Sequence, residues 1–186
     1  MEDLVSVIMP TYNRGYVISL AINSILDQTY RNIELIIVDD FSNDDTYKII
    51  SGYNDKRIKY IKLKKKSGSN YARNIGLDNA HGKYITFQDS DDFSMPDRVE
   101  KEYKSLKPEG ADLVFSSFYK TSAEYEKYLR NGNEKKIKKT LIPKKQIDKN
   151  KILETLLYGN VTTTQVLFGK KEVFMKIIII GAGVSG

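Results

Sequence analysis

The run Tyr84-Ile85-Thr86-Phe87 leads without a break into Gln88-Asp89-Ser90-Asp91-Asp92, so a buried-strand pattern ends on three carboxylates within four positions. Packing gives no reason for such crowding. Like charges this close repel one another unless a cation sits among them. A divalent metal relieves the conflict, and Mg²⁺ or Mn²⁺ takes one or two protein carboxylates while leaving its other positions to water and phosphate oxygens. In open α/β sheets ligands bind outside the carboxyl ends of the strands, which is where this cluster falls. The plainer alternative is a solvated acidic turn opening a helix from Pro96 to Leu106.

Upstream, strand and helix patterns alternate. Val5-Ser6-Val7-Ile8-Met9 reads as a buried strand stopped by Pro10, and Ile18, Ala21, Ile22, Ile25 and Leu26 share one helical face. A second strand runs from Ile33 to Val38 and meets Asp39-Asp40. Asn43-Asp44-Asp45 then offers an N-cap to a helix with Ile49 and Ile50. The stretch from Arg57 to Leu63 reads as a more exposed strand. A helix carrying Ala72, Ile75, Gly76 and Ala80 follows the Ser67-Gly68-Ser69 loop, and His81-Gly82 is read as its C-cap turn. Such alternation predicts an α/β fold with a mostly parallel sheet and helices on both faces. Beyond the Pro96 helix the pattern predicts a strand from Ala111 to Phe118. A lysine-rich loop follows to Asn150, then a short helix from Lys151 to Leu157 and a strand from Thr164 to Phe168.

With 186 residues, 40% hydrophobic and 29% charged, the chain has the composition of a soluble globular protein with one main core. It has no cysteine, which excludes disulfides and thiolate chemistry, and a single histidine, His81, which cannot build the common kind of zinc site. The N-terminus shows no signal-peptide pattern and no apolar stretch is long enough to span a bilayer, so the chain reads as cytoplasmic. Its net charge of +6 is matched by the segment from Glu134 to Lys151 alone, where eight lysines face Glu134 and Asp148. A solvated face is the ordinary reading of such a run. The sharper one is an anionic membrane surface, with the protein peripheral on its inner face. Nucleic acid is set aside because the lysines lack interleaved aromatics for base stacking.

Three strand ends bring polar residues to one sheet edge: Thr11-Tyr12-Asn13, Asp39-Asp40 and Asp89-Ser90-Asp91. An aromatic ring, a carboxylate that accepts a base N–H and a metal-binding acid together suit a nucleoside diphosphate. Arg73, on the preceding helix, adds a cation for base or phosphate. No P-loop sequence is present.

Taken in order, four stretches resemble the family-2-type glycosyltransferases of the GT-A fold. They are Val5-Ser-Val-Ile-Met-Pro-Thr-Tyr-Asn-Arg14, Glu34-Leu-Ile-Ile-Val-Asp-Asp-Phe-Ser-Asn-Asp-Asp-Thr46, Ala72-Arg-Asn-Ile-Gly76, and Gly82-Lys-Tyr-Ile-Thr-Phe-Gln-Asp-Ser-Asp-Asp92 with Met95-Pro-Asp-Arg98. The agreement covers roughly residues 4–118 and, more loosely, residues to Phe174. The resemblance implies that Tyr12 and the backbone at Pro10 lie against the nucleobase and that Asp40 accepts the base N–H. It implies further that Arg73 reaches the base or diphosphate, Asp89 meets the ribose side, and Asp91 coordinates Mn²⁺ or Mg²⁺. The implied activity is inverting transfer of a sugar from a nucleotide-sugar donor, UDP-sugar before GDP- or dTDP-sugar, to a glycan or lipid-linked acceptor in surface polysaccharide synthesis. An acidic general base on the acceptor hydroxyl belongs to the same pattern, beyond the equivalent of Phe174.

There the sequence departs from the pattern. No carboxylate follows Glu172, and Met175-Lys-Ile-Ile-Ile-Ile-Gly-Ala-Gly-Val-Ser-Gly186 resembles the first strand and glycine turn of a Rossmann flavin or nicotinamide protein. Residues 1–174 are accordingly expected to form a donor-binding domain incomplete on its acceptor side, with 175–186 foreign to it. Two rival functions remain: a module that binds nucleotide-sugar without transferring it, and a sugar-nucleotide nucleotidyltransferase. The second is disfavoured because the first strand lacks a glycine-rich phosphate loop with its basic residue.

Overall fold

Alternation along β1 (Val5–Thr11) sets the two faces of the sheet: Val5, Val7 and Met9 pack to one side, Ile8 to the other, all fully buried. The computed structural model describes residues 2–106, 112–116, 118–119, 139–140 and 167–175. Parallel to β1 lie β2 (Ile33–Asp39) and β4 (Tyr84–Phe87), with β3 (Ile58–Lys62) beyond β2 as a half-exposed edge. β5 (Leu113–Phe115) and β8 (Leu167–Lys170) complete a six-stranded sheet in the order β3-β2-β1-β4-β8-β5. β8 runs antiparallel to both of its neighbours. β6 (Phe118–Tyr119) and β7 (Lys139–Thr140) pair separately.

Helices cover both faces, as the alternation predicts. α1 (Ile18–Leu26) buries Ile18, Ala21, Ile22 and Ile25, a spacing of three and four residues that puts them on one stripe. With Ile50 of α2 (Thr46–Ser51) and Val99, Tyr103 and Leu106 of α4 (Arg98–Leu106), they close one core against the sheet. The opposite core holds Ala72 and Leu77 of α3 (Ser69–Asp78), with Ile8, Ile36, Val38, Ile85 and Phe87.

Several sequence expectations are corrected. Pro10 does not stop β1, which continues through Thr11. The ladder with β4 ends at the Ile8–Phe87 pair, so the N–H that proline lacks would face no partner strand. β8 runs two residues past the end of the strand expected from Thr164 to Phe168, whose first three residues lie outside the described ones. The strand expected from Ala111 to Phe118 is divided between two sheets. Residues 118–119 and 139–140 pair inside or beside the stretch read as a loop, while the rest of the lysine-rich segment, the helix expected at 151–157 and the tail from 176 lie outside the described residues.

His81-Gly82 is not a helix cap either. α3 ends at Asp78 with Asn79 as its C-cap. Gly82 is where the chain crosses β1 at contact distance: a Cβ there would lie 2.6 Å from both the backbone nitrogen and the Oγ of Ser6. Around it Glu34 Oε1 accepts from Ser6 Oγ at 2.5 Å, His81 N–H at 2.6 Å and Gly82 N–H at 3.1 Å, and the His81 ring lies 3.2 Å from Oε2. Burial pushes the Glu34 carboxyl upward, but these donors outweigh it and hold it below the ordinary glutamate value. A carboxylate with a lowered value stabilises the fold above the unfolded-state value and loses that contribution as pH falls through the folded one. Glu34→Gln is therefore expected to lower stability by about 1–2 kcal/mol at neutral pH, as charge-assisted bonds become neutral ones. The gap from wild type should close in strong acid, which urea unfolding across the acid range measures.

Candidate functional site

The loops after β1, β2 and β4 meet at the carboxyl edge of the sheet, and two of them are zipped together. Asn13 N–H donates to Ser42 Oγ at 2.9 Å, Asn43 N–H to Asn13 Oδ1 at 3.0 Å, and Arg14 N–H to Thr46 Oγ1 at 2.9 Å. Asn13 and Phe41 both sit at left-handed φ, 51° and 71°, which turns each chain sharply off its strand. Asp44, not Asp45, serves the start of α2: its Oδ1 accepts from Thr46 N–H and Oγ1, and its Oδ2 from Gly15 N–H.

The two acids ending β2 divide their work. Asp39 is fully buried and structural, accepting from Ser42 N–H at 2.7 Å and Tyr60 Oη at 2.6 Å. Asp40 is turned the other way, and its two oxygens take the N–H groups of Ser67 and Gly68 at 2.6 and 2.8 Å. That grip needs the left-handed turn at Gly68, φ 94°, which an L side chain adopts only with strain. Each oxygen keeps a second lone pair for another donor.

The acidic loop after β4 is braced from below. Gln28, fully buried on the far side of α1, donates to Met95 O at 2.7 Å and accepts the Val99 N–H at 3.0 Å, so it also caps α4. Ser94 Oγ donates to Gln88 Oε1 at 2.5 Å, and the Ser94 backbone N–H donates to Ser24 Oγ at 3.0 Å. This strut fixes the backbone that carries Asp89 and Asp91.

Between the loops lies a cleft of about 230 Å³. All six residues singled out from the sequence line it: Pro10, Tyr12, Asp40, Arg73, Asp89 and Asp91. Thr11, Arg14, Ser69 and Ser90 complete the wall, and Ser69 brings the first turn of α3 to the cleft. Arg73 Nη2 pairs with Asp89 at 2.9 Å while Nη1 reaches Ser69 Oγ and Asn70 Oδ1, and Arg14 Nη2 pairs with Asp91 at 3.1 Å. Lys66 Nζ stands 4.0 Å over the centroid of the Tyr12 ring.

Arg14 and Lys66 are the residues that sequence reading passed over. A cation two residues after a strand-end aromatic, and another two residues before a loop glycine, are the available signals.

The donor set fits a divalent cation held jointly with phosphate. Among the described residues no cluster of three ligating side chains exists. Asp91 would supply the one carboxylate that Mg²⁺ or Mn²⁺ can take when water and phosphate oxygens fill its other positions.

An open, mostly parallel sheet with a cleft of acids, arginines and one aromatic ring at its carboxyl edge is the arrangement of ligand-binding α/β proteins. Residues 6–169 match the family described as glycosyl transferase family 2. The chain belongs to that family. It is 37% identical over 121 residues to glycosyltransferase GlyG of Streptococcus pneumoniae serotype 4, a match that covers 64% of this chain and 40% of GlyG. It is 40% identical over 117 residues to WfaP of Escherichia coli, named a UDP-Glc:alpha-D-GlcNAc-diphosphoundecaprenol beta-1,3-glucosyltransferase, covering 63% of this chain and 47% of WfaP. The chain thus spans less than half the length of these relatives. In fold it is similar to S. aureus TarS 1–349 in complex with UDP-GlcNAc, with a TM-score of 0.71 at 22% identity over 94% of this chain and 47% of that one.

Proposed function

We propose that this chain carries the donor-binding cleft of a glycosyltransferase that uses a nucleotide-sugar, UDP-sugar before other nucleotides, together with Mn²⁺ or Mg²⁺. The observation that carries the reading is the convergence of Tyr12, Asp40, Arg73, Asp89 and Asp91 from separate strand ends and α3 on one cleft. Tyr12 and the Pro10 backbone stack against the base, and Asp40 accepts its N–H. Asp89 stands on the ribose side, oriented by Arg73, and the first turn of α3 favours the negative charge of the diphosphate. The bound metal would neutralise charge developing on the departing nucleoside diphosphate. Asp91 holds it there, on a loop made rigid by Gln28 and Ser94.

The names of the relatives support the finer reading. WfaP acts on UDP-glucose and a diphosphoundecaprenol-linked sugar, and TarS is seen with UDP-GlcNAc. For this chain we infer an inverting transfer to a glycan or lipid-linked acceptor by direct displacement, as its family implies. Among the described residues no helix is long and apolar enough to cross a membrane. An anionic surface engaged by residues 134–151 remains part of the proposal.

Incubation with labelled UDP-sugars and Mn²⁺, with and without a polyprenyl-diphosphate-linked sugar, tests the reading. Mn²⁺-dependent UDP-sugar binding is expected, with acceptor-dependent incorporation about a hundredfold or more below that of a full-length relative if residues beyond Phe174 supply the general base. Tight UDP-sugar binding with no transfer to any acceptor would favour a binding module, and pyrophosphate release from a nucleoside triphosphate would favour a nucleotidyltransferase.

A further inference from the structure

Asp89 and Asp91 in the cleft are each matched by an arginine, but the two arginines are held very differently. Arg73 is embedded: its side chain is 15% exposed and tied to Ser69, Asn70 and Asp89 at once. Arg14 pairs with Asp91 at 3.1 Å, with the two side chains 37% and 46% exposed. Its backbone, by contrast, is fixed. The N–H is bonded to Thr46 Oγ1 at 2.9 Å, and the carbonyl accepts from Val17 and Ile18 N–H at 3.0 and 2.9 Å. Arg14 thus carries a partly exposed guanidinium on a fixed backbone.

An exposed ion pair of this kind contributes little and exchanges readily. A divalent cation and this guanidinium compete for the same Asp91 oxygens. Once displaced, the guanidinium is anchored at the rim of a cleft whose ligand carries a diphosphate, the group its planar fork of donors fits best.

We propose that Arg14 is an exchangeable counter-ion: it holds Asp91 in the empty cleft, yields it to the divalent cation, and then turns to the diphosphate of the donor. The proposal rests on the reading of the cleft as a metal–diphosphate site.

The test measures Mn²⁺ binding without nucleotide, by the electron paramagnetic resonance of free Mn²⁺, and UDP binding at saturating Mn²⁺, by calorimetry. Both are run on wild type, Arg14→Met and Arg14→Lys. Arg14→Met should tighten Mn²⁺ alone by about two- to fivefold, the range of an exposed pair, and weaken UDP by about tenfold, as for one lost charge-assisted bond. Arg14→Lys should fall between. In an Asp91→Asn background the Mn²⁺ effect of Arg14→Met should vanish. A purely structural role cannot tighten metal binding while loosening nucleotide. Mn²⁺ affinity that is unchanged or weaker in Arg14→Met overturns the exchange while leaving the cleft assignment intact. Wild type that shows no Mn²⁺-dependent UDP binding removes the cleft assignment and the exchange with it.

Discussion

Asp40→Ala is expected to weaken UDP binding by about 1–3 kcal/mol while leaving the binding of inorganic pyrophosphate with Mn²⁺ nearly unchanged. On the proposed reading the base N–H would lose its acceptor, whereas the diphosphate would meet other residues. The same substitution should also act without ligand. Asp40 is buried, and its two oxygens hold the Ser67 and Gly68 N–H groups at 2.6 and 2.8 Å. Removing both bonds should lower stability by about 2–4 kcal/mol, because each is charge-assisted and out of water. Asp40→Asn keeps one acceptor and should sit between wild type and alanine. Calorimetry with the two ligands reads the first effect and urea unfolding the second. An equal loss for UDP and pyrophosphate would assign Asp40 to the loop alone.

Gly82→Ala should be at least as damaging to the fold. A methyl at Gly82 would lie 2.6 Å from Ser6 N and 2.9 Å from Leu4 O, backbone atoms at the start of β1 that no rotamer change can move. Overpacking of this kind lowers stability by about 1–3 kcal/mol, and more where backbone must give. The shift would pry the start of β4 from β1, the two strands whose far ends carry Asp89, Asp91 and Tyr12. Unfolding midpoint and UDP affinity should therefore fall together. A variant as stable as wild type would show that the approach of residue 82 to Ser6 is not tight.

What the sequence made legible follows from local physics. Strands on the inside of a parallel sheet read as apolar runs, and the polar residues that end them stand out against that background. Hence Tyr12, Asp40, Asp89 and Asp91 could be placed on one edge, and Arg73 on the helix beside it. The features that were not legible are set by tertiary contact. The position of β8 between β4 and β5 depends on a pairing some 80 residues apart in sequence (Thr86 with Phe168), and nothing local encodes it. His81-Gly82 looks like a helix stop because glycine after a helix usually is one, yet its reason is the closeness of Ser6. Lys66 is exposed and Arg14 partly so, and both lie on loops without periodicity. Only the folding of those loops over the cleft shows that one meets Asp91 and the other Tyr12.

The central claim is that the cleft binds a nucleoside diphosphate through a divalent cation held at Asp91. Thermal unfolding with saturating UDP, in Mn²⁺ and in chelator, tests it most directly on wild type and Asp91→Asn. A ligand that binds only the native state at a hundredfold excess over its dissociation constant adds about 2.7 kcal/mol. That stabilisation should appear for wild type with Mn²⁺, shrink sharply in chelator, and be largely lost in Asp91→Asn under both conditions. Equal stabilisation by UDP in Mn²⁺ and in chelator would contradict the account.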